Sequence, residues 1–161
     1  VQDQAGGIAE ALGLAENFAG QSKTVVILGD NIFEDDLKPF VANFISQAKG
    51  AKILVKKVSD PERFGVVEIK DGKVLSIEEK PKKPKGSHIV TGIYFYDSQV
   101  FDFIRKLKPS HRGEMEITDV NNAYLKNGTL TYDIMSGWWS DAGTFESLER
   151  SSLLSEGKIQ L

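Results

Sequence analysis

Phosphate chemistry needs groups that hold and neutralise charge, and this sequence sets such groups just beyond its apolar runs. Thr24-Val25-Val26-Ile27-Leu28 is a β-branched, mostly apolar run; Gly29 breaks it and Asp30 and Asn31 follow. Ligands in open α/β sheets bind beyond the carboxyl ends of strands. A carboxylate there can hold a metal or a substrate hydroxyl. The same residue types also make plain Asx turns, so this stretch alone leaves both readings open. Asp141 lies in Trp138-Trp139-Ser140-Asp141-Ala142-Gly143-Thr144, between a strand and a helix. Adjacent tryptophans are costly to expose and should build a wall. Asp141 or Thr144 could instead only cap the helix. If Asp30 and Asp141 share the carboxyl edge of one sheet, they can share a cation. Mg²⁺ needs only one or two carboxylates, with phosphate oxygens and waters completing its shell. Lys80 follows Glu78 and Glu79 at a strand end and precedes Pro81. There a lysine acts as a point charge on a phosphate, and Glu79 can accept from sugar hydroxyls. Gly65 and Gly92 let a small polar ligand approach the backbone. Lys82, Lys83 and Lys85 read as solvated.

The composition removes other chemistries. No cysteine is present, which excludes disulfides, thiolate nucleophiles and Cys-ligated zinc. His88 and His111 lie in different loops without ligand spacing. No Ser-His-Asp arrangement and no Walker-type G-x-x-x-x-G-K-[ST] is legible. A net charge of −3, from 20 basic and 23 acidic residues, gives no footprint for nucleic acid or anionic membrane. No apolar stretch approaches the ~20 residues of a membrane span, and no signal peptide opens the chain, so a cytoplasmic location is the default. The length of 161 residues fits one domain with its own core.

The elements that must position these groups follow from periodicity. Apolar residues at helical spacing predict a helix over residues 8–18, with Gly6-Gly7 at its N-terminus. The run at 24–28 predicts a strand buried on both faces, as in a parallel sheet. A helix over 37–48 and a strand over 51–58 continue a parallel α/β rhythm. Strands at 66–69 and 74–77 flank Asp71-Gly72, a strong hairpin signal. The proline-interrupted stretch 78–86 reads as an extended loop. A strand over 89–96 carries Gly92, which hints at a bulge or a close approach. Helices over 98–107 and 114–125, a strand over 130–135 and a helix over 145–154 complete the chain.

Taken together, these stretches are similar to the sugar-1-phosphate nucleotidyltransferases, closest to the members that transfer a thymidylyl group to glucose 1-phosphate. The carrying motifs are Gly29-Asp30-Asn31-Ile32-Phe33, DPERFGVVE at 60–68, IEEKPKKPK at 77–85, VTGIYFYD at 90–97, LKPSHRGEMEITDVNNAYL at 107–125, and Asp141-Ala142-Gly143-Thr144. They run in order along nearly the whole chain. The resemblance implies a Rossmann-like, GT-A-like mixed sheet flanked by helices, and a reaction of dTTP with glucose 1-phosphate to give dTDP-glucose and pyrophosphate. It implies Asp30 and Asp141 as Mg²⁺ ligands and Lys80 on the sugar phosphate. Asn31, Gly65, Glu79, Val90 and Gly92 would contact the sugar, and Gln2 and Gly7 the nucleobase. UTP or GTP as the nucleotide, or a non-catalytic sugar-phosphate-binding module, are the alternatives, and a homo-oligomer stays open. Phe64 stands where tyrosine is common in the family, and Ala5 where proline is common. The family's glycine-rich loop G-G-x-G-[ST]-R-[LM] is absent from the 161 residues. The chain is therefore expected to match the C-terminal two-thirds of a catalytic domain, N-terminally incomplete, and to catalyse poorly alone.

Overall fold

A computed structural model describes Gln2 and residues 5–159. In chain order its elements are α1 (Ile8–Gly13), α2 (Glu16–Ala19), β1 (Thr24–Ile27), β2 (Asn31–Phe33), α3 (Lys38–Ser46), β3 (Ala51–Lys57), β4 (Gly65–Lys70), β5 (Lys73–Glu79), β6 (His88–Tyr96), α4 (Gln99–Ile104), α5 (Ile117–Lys126), β7 (Leu130–Ile134), β8 (Trp139–Asp141) and α6 (Phe145–Ser155). A short 3₁₀ turn, Pro61–Arg63, leads into β4.

The long strand β6 organises the main sheet. It is rich in β-branched and aromatic residues, which suits a strand packed on both faces, and it is buried from Ile89 to Tyr96. The sheet order is β5-β4-β6-β3-β7, with β1 also on β6. β3 occupies one edge of β6. β1 and β4 divide the other: β1 pairs with residues 93–96 and β4 with 88–89. The two leave a gap opposite Val90 to Gly92, and the site opens there.

Alternation along the central strands sorts the core into two layers. Ile53, Val55, Tyr94 and Tyr96 pack with Leu12, Phe101, Val120 and Tyr124 from α1, α4 and α5. Leu54, Ile89, Ile93 and Phe95 pack with Phe44 of α3, Met135 and Trp139. The result is a mixed sheet between helices. No helix among the described residues is long and apolar enough to cross a membrane.

The hairpin, α3, β3, β6, β7 and α6 form close to where periodicity predicts them. Asp71 and Gly72 take φ of 51° and 70°, as a two-residue hairpin turn requires. Other expectations need correction. The pairing is antiparallel throughout, except between β3 and β7, so the alternation of helix and strand does not build a parallel sheet. β1 is not buried on both faces: Val25 and Ile27 are 39% and 48% exposed, while Val26 and Leu28 pack on the core. The helix predicted over 8–18 breaks after Gly13, a poor helix residue, and Phe18 is exposed. α5 starts at Ile117 rather than at 114 because Met115 is held in extended pairing: its N–H donates to Gly6 O (2.8 Å) and its carbonyl accepts from Ala9 N–H (3.2 Å).

Candidate active site

The site is anchored where Asn31 enters the gap in the sheet. Leu28 N–H donates to Gly92 O at 2.9 Å, which carries the β1 ladder to its end. Asn31 then places its side-chain oxygen to accept from Gly92 N–H (2.8 Å) and from Trp139 Nε1–H (2.7 Å), and its amide donates to Asp30 Oδ1 (2.9 Å). One side chain thus ties together β6, the tryptophan wall and the first carboxylate. Only glycine fits beneath it, because a Cβ on Gly92 would lie 2.3 Å from Asn31 Nδ2. The close approach expected at Gly92 is therefore real, and a neighbouring side chain fills it.

Asp30 and Asp141 are brought together, but not along the edge of one sheet. A separate two-stranded ribbon does this, with β2 antiparallel to β8 and Asn31 opposite Asp141. Ala142 N–H closes the ribbon onto Asp30 O at 2.6 Å. Both carboxylates converge: Asp30 Oδ2 and Asp141 Oδ2 lie 3.6 and 3.9 Å from the position a Cβ on Gly143 would take. Thr144 supplies the capping box of α6 with Ser147, which leaves Asp141 free of a capping role. Trp139 is buried, and Phe64 meets its ring edge-on at 5.5 Å.

A cavity of about 220 Å³ runs from this pair into the sheet. Asp30, Asn31, Gly65, Glu79, Lys80, Val90, Gly92 and Asp141 all line it. At its inner end Glu79 accepts from Thr118 Oγ1–H (2.5 Å), and Arg112 Nη1 stands 3.5 Å from its other oxygen. Gly65 opens that corner: a Cβ there would stand 3.4 Å from Glu79 Oε2. Tyr94 lies between the two ends. Burial first, then the charges of Glu79 and Asp30, push its hydroxyl well above the ordinary tyrosine pKa, so it stays neutral. Asn121 accepts from Tyr96 O–H (2.7 Å), and its Nδ2 is a buried donor without a partner among the described residues. Lys80 adopts φ of +43°, a costly conformation for a non-glycine residue, held by its N–H donating to Phe64 O at 3.0 Å. Such strain recurs where a side chain must be aimed.

Gln2 and Gly7 are not brought into this cavity. Gly7 caps α1 and packs on the Met115 backbone, while Gln2 Nε2 donates to Gly7 O (3.2 Å) and Glu10 Oε2 (2.8 Å). The neighbouring Ile8 lines the cavity instead. Sequence reasoning missed Arg63, Tyr94, Arg112 and Thr118. Arg112 and Thr118 reach Glu79 from more than thirty positions away, and no local spacing signals that. Arg63 sat in plain view between Pro61 and Gly65, but only the fold turns it toward Asp141, with Nη2 3.4 Å from Asp141 Oδ2. On the far side of Arg63, Phe64, Trp139 and Asp141 a second, wider cavity of about 910 Å³ opens.

Comparison with known proteins shows the family and the fold. Residues 1–156 match the family model described as nucleotidyl transferase. A glucose-1-phosphate thymidylyltransferase of Neisseria meningitidis is 42% identical over 156 residues, covering 94% of this chain and 54% of the relative. One of Mycobacterium tuberculosis is 43% identical, covering 91% and 52%. The chain therefore spans about half the length of these relatives. A Bacillus anthracis protein assigned as a glucose-1-phosphate thymidylyltransferase, solved in complex with sucrose, superimposes with a TM-score of 0.92 at 61% identity, covering 100% of this chain and 65% of its own. UDP-glucose pyrophosphorylase complexed with UDP-glucose shares the fold at 21% identity and a TM-score of 0.86, over 98% of this chain and 65% of its own.

Proposed function

The chain belongs to the nucleotidyl transferase family, and from that premise we propose that the protein transfers a nucleotidyl group from dTTP, or from UTP, to glucose 1-phosphate, releasing pyrophosphate. The observation that carries this reading is one cavity with two chemically distinct ends. Glu79, Thr118 and Gly65 stand at the inner end, and the Asp30 and Asp141 carboxylates converge at the outer one.

Each end suits one part of the substrates. Glu79, already tied to Thr118, is a fixed acceptor for sugar hydroxyls, and Gly65 and Val90 leave room for the ring. Lys80 and Arg112 supply cationic charge beside that end for the sugar's phosphate. The phosphate oxygen of the sugar attacks the α-phosphorus of the nucleotide in line; the bond from that phosphorus to the bridging oxygen breaks and pyrophosphate departs. This chemistry needs positioning and charge neutralisation more than a protein nucleophile. Two converging carboxylate oxygens fit a divalent cation whose other ligands come from phosphates and water. Asp30 and Asp141 would hold it, Mg²⁺ by preference, and it would neutralise charge on the phosphates.

Titration calorimetry with glucose 1-phosphate tests the reading. Saturable binding is expected, weakened about tenfold or more by Glu79→Gln or Lys80→Met, the loss of one charge-assisted hydrogen bond. Absence of binding, or binding by both variants as tight as the parent's, overturns it.

A further inference from the structure

Arg63 stands beside the carboxylate pair, and the proposed function gives it no role. Its Nη2 lies 3.4 Å from Asp141 Oδ2, the same oxygen that converges with Asp30 near Gly143. Its Nη1 lies 2.9 Å from Asp60 Oδ2, and its guanidinium lies over the Phe64 ring at 5.2 Å. The side chain is about half exposed, so it is held by these contacts and not by burial. It lines both the 220 Å³ and the 910 Å³ cavities. Asp30 has no such partner: its Oδ1 accepts from Asn31, and no ion pair involves it among the described residues.

We propose that Arg63 is an exchangeable counter-ion: it occupies the cation-facing oxygen of Asp141 until a divalent cation displaces it, and Asp60 then keeps the released guanidinium at the junction of the two cavities. This inference rests on the reading of Asp30 and Asp141 as a cation pair. The physical reason is that two like charges near one point repel each other and would splay apart if neither were compensated. Arg63 compensates one of them without filling the space between them. The arginine is weakly held because a half-exposed ion pair is a weak one, so a divalent ion outcompetes it. Once released, the guanidinium remains tethered through Nη1 to Asp60 and faces the wider cavity, where anionic phosphate oxygens are its natural partners. Arg63 is thus a positioning residue for Asp141 before the cation arrives.

Binding of Mn²⁺ to the metal-free protein, followed by electron paramagnetic resonance and by quenching of tryptophan emission, tests the exchange directly. Arg63→Gln should bind Mn²⁺ about two- to fivefold more tightly than the parent, the range spanned by loss of an exposed competing ion pair. Asp60→Asn should weaken Mn²⁺ binding, because Arg63 then belongs to Asp141 alone. That weakening should vanish in the double variant with Arg63→Gln, the signature of an effect passed through Arg63. Arg150→Gln, which lines the wider cavity without touching Asp141, should leave the affinity unchanged. Unchanged or weaker Mn²⁺ binding by Arg63→Gln overturns the inference, as does an equal gain from Arg150→Gln. Absence of Mn²⁺ binding in both the parent and Arg63→Gln overturns it together with the cation reading. Loss of binding in Asp141→Asn alone upholds that reading whatever Arg63 does.

Discussion

The two ends of the cavity are built differently. The inner end stands on long strands and on α5. Glu79 closes β5, Thr118 is 4% exposed, Val90 is 9% exposed and Tyr94 is 4% exposed. The outer end stands on a three-residue ribbon and a 3₁₀ turn, with Asp30 and Arg63 open to solvent. On the proposed reading the inner end takes the sugar, which is told from its neighbours by hydroxyl positions, and such an end needs groups fixed within tenths of an ångström. On the same reading a cation and phosphates enter, exchange partners and leave at the outer end, which then needs charges that can be reassigned at small cost. Among the described residues, Asn31 is the only side chain with hydrogen bonds to both sides of this division: to Gly92 on the rigid strand, and to Trp139 and Asp30 on the ribbon.

The largest expected effect therefore comes from breaking the joint rather than either end. In Gly92→Val the new Cβ would displace Asn31, since only 2.3 Å separates them. Gly92 N–H and Trp139 Nε1–H then lose their acceptor, at about 1–3 kcal/mol for each buried donor left unpaired. Urea denaturation should read a stability loss of about 3 kcal/mol, and glucose 1-phosphate affinity should fall about tenfold or more as the groups drift out of place. A variant with parental stability and parental glucose 1-phosphate affinity would mean the two ends do not depend on this joint.

Single changes at each end should separate them. Asp141→Asn should weaken Mn²⁺ binding at least about tenfold, a loss that even outer-shell partners of a metal can cause. Glucose 1-phosphate binding, measured without metal, should stay within about twofold, as for distant independent sites. Glu79→Gln should do the reverse. Crossed effects of similar size in both variants would show one coupled site instead of two ends.

Part of the inner end was legible because some of its residues announce themselves locally. Glu79 and Lys80 end a strand before a proline, and Gly65 and Gly92 interrupt apolar runs. The convergence of Asp30 and Asp141 was legible from the family resemblance, and from the residues only on the condition of one shared sheet edge, which is not how it arises. Their pairing depends on a ribbon of three residues on each side, too short to carry a period of its own. The sheet's direction was misread because β1 looks like a strand buried on both faces, whereas its antiparallel contact with β6 leaves Val25 and Ile27 open. Arg63, Arg112 and Thr118 stayed hidden for a different reason. Each acts on a carboxylate far away in the chain, and a surface arginine in a turn looks the same whether its partner is water or Asp141.

The smallest expected effect concerns the residue between the ends. The Tyr94 hydroxyl has no hydrogen-bond partner among the described residues, and its ring stacks on Tyr96 at 6.0 Å, which in turn stacks on Tyr124 at 5.7 Å. Tyr94→Phe keeps that stack and removes only the hydroxyl. Stability should change by less than about 0.5 kcal/mol, as for changes that break no defined interaction. Glucose 1-phosphate affinity should fall by about tenfold at most, the worth of one neutral hydrogen bond to a sugar oxygen. The pH dependence sharpens this. Burial raises the hydroxyl pKa of Tyr94, Tyr96 and Tyr124 above the ordinary value of 10.0. The folded state therefore holds these protons more tightly than the unfolded chain does, and stability falls as pH rises through and beyond that value. Below it, Tyr94 is neutral in both states. The ratio of parent to Tyr94→Phe affinity should thus be flat from pH 6 to about pH 9, about a unit below the ordinary tyrosine pKa. A ratio that changes within that window would mean that Tyr94 ionises during binding, and the inner end would then carry exchangeable charge of the kind proposed for the outer end.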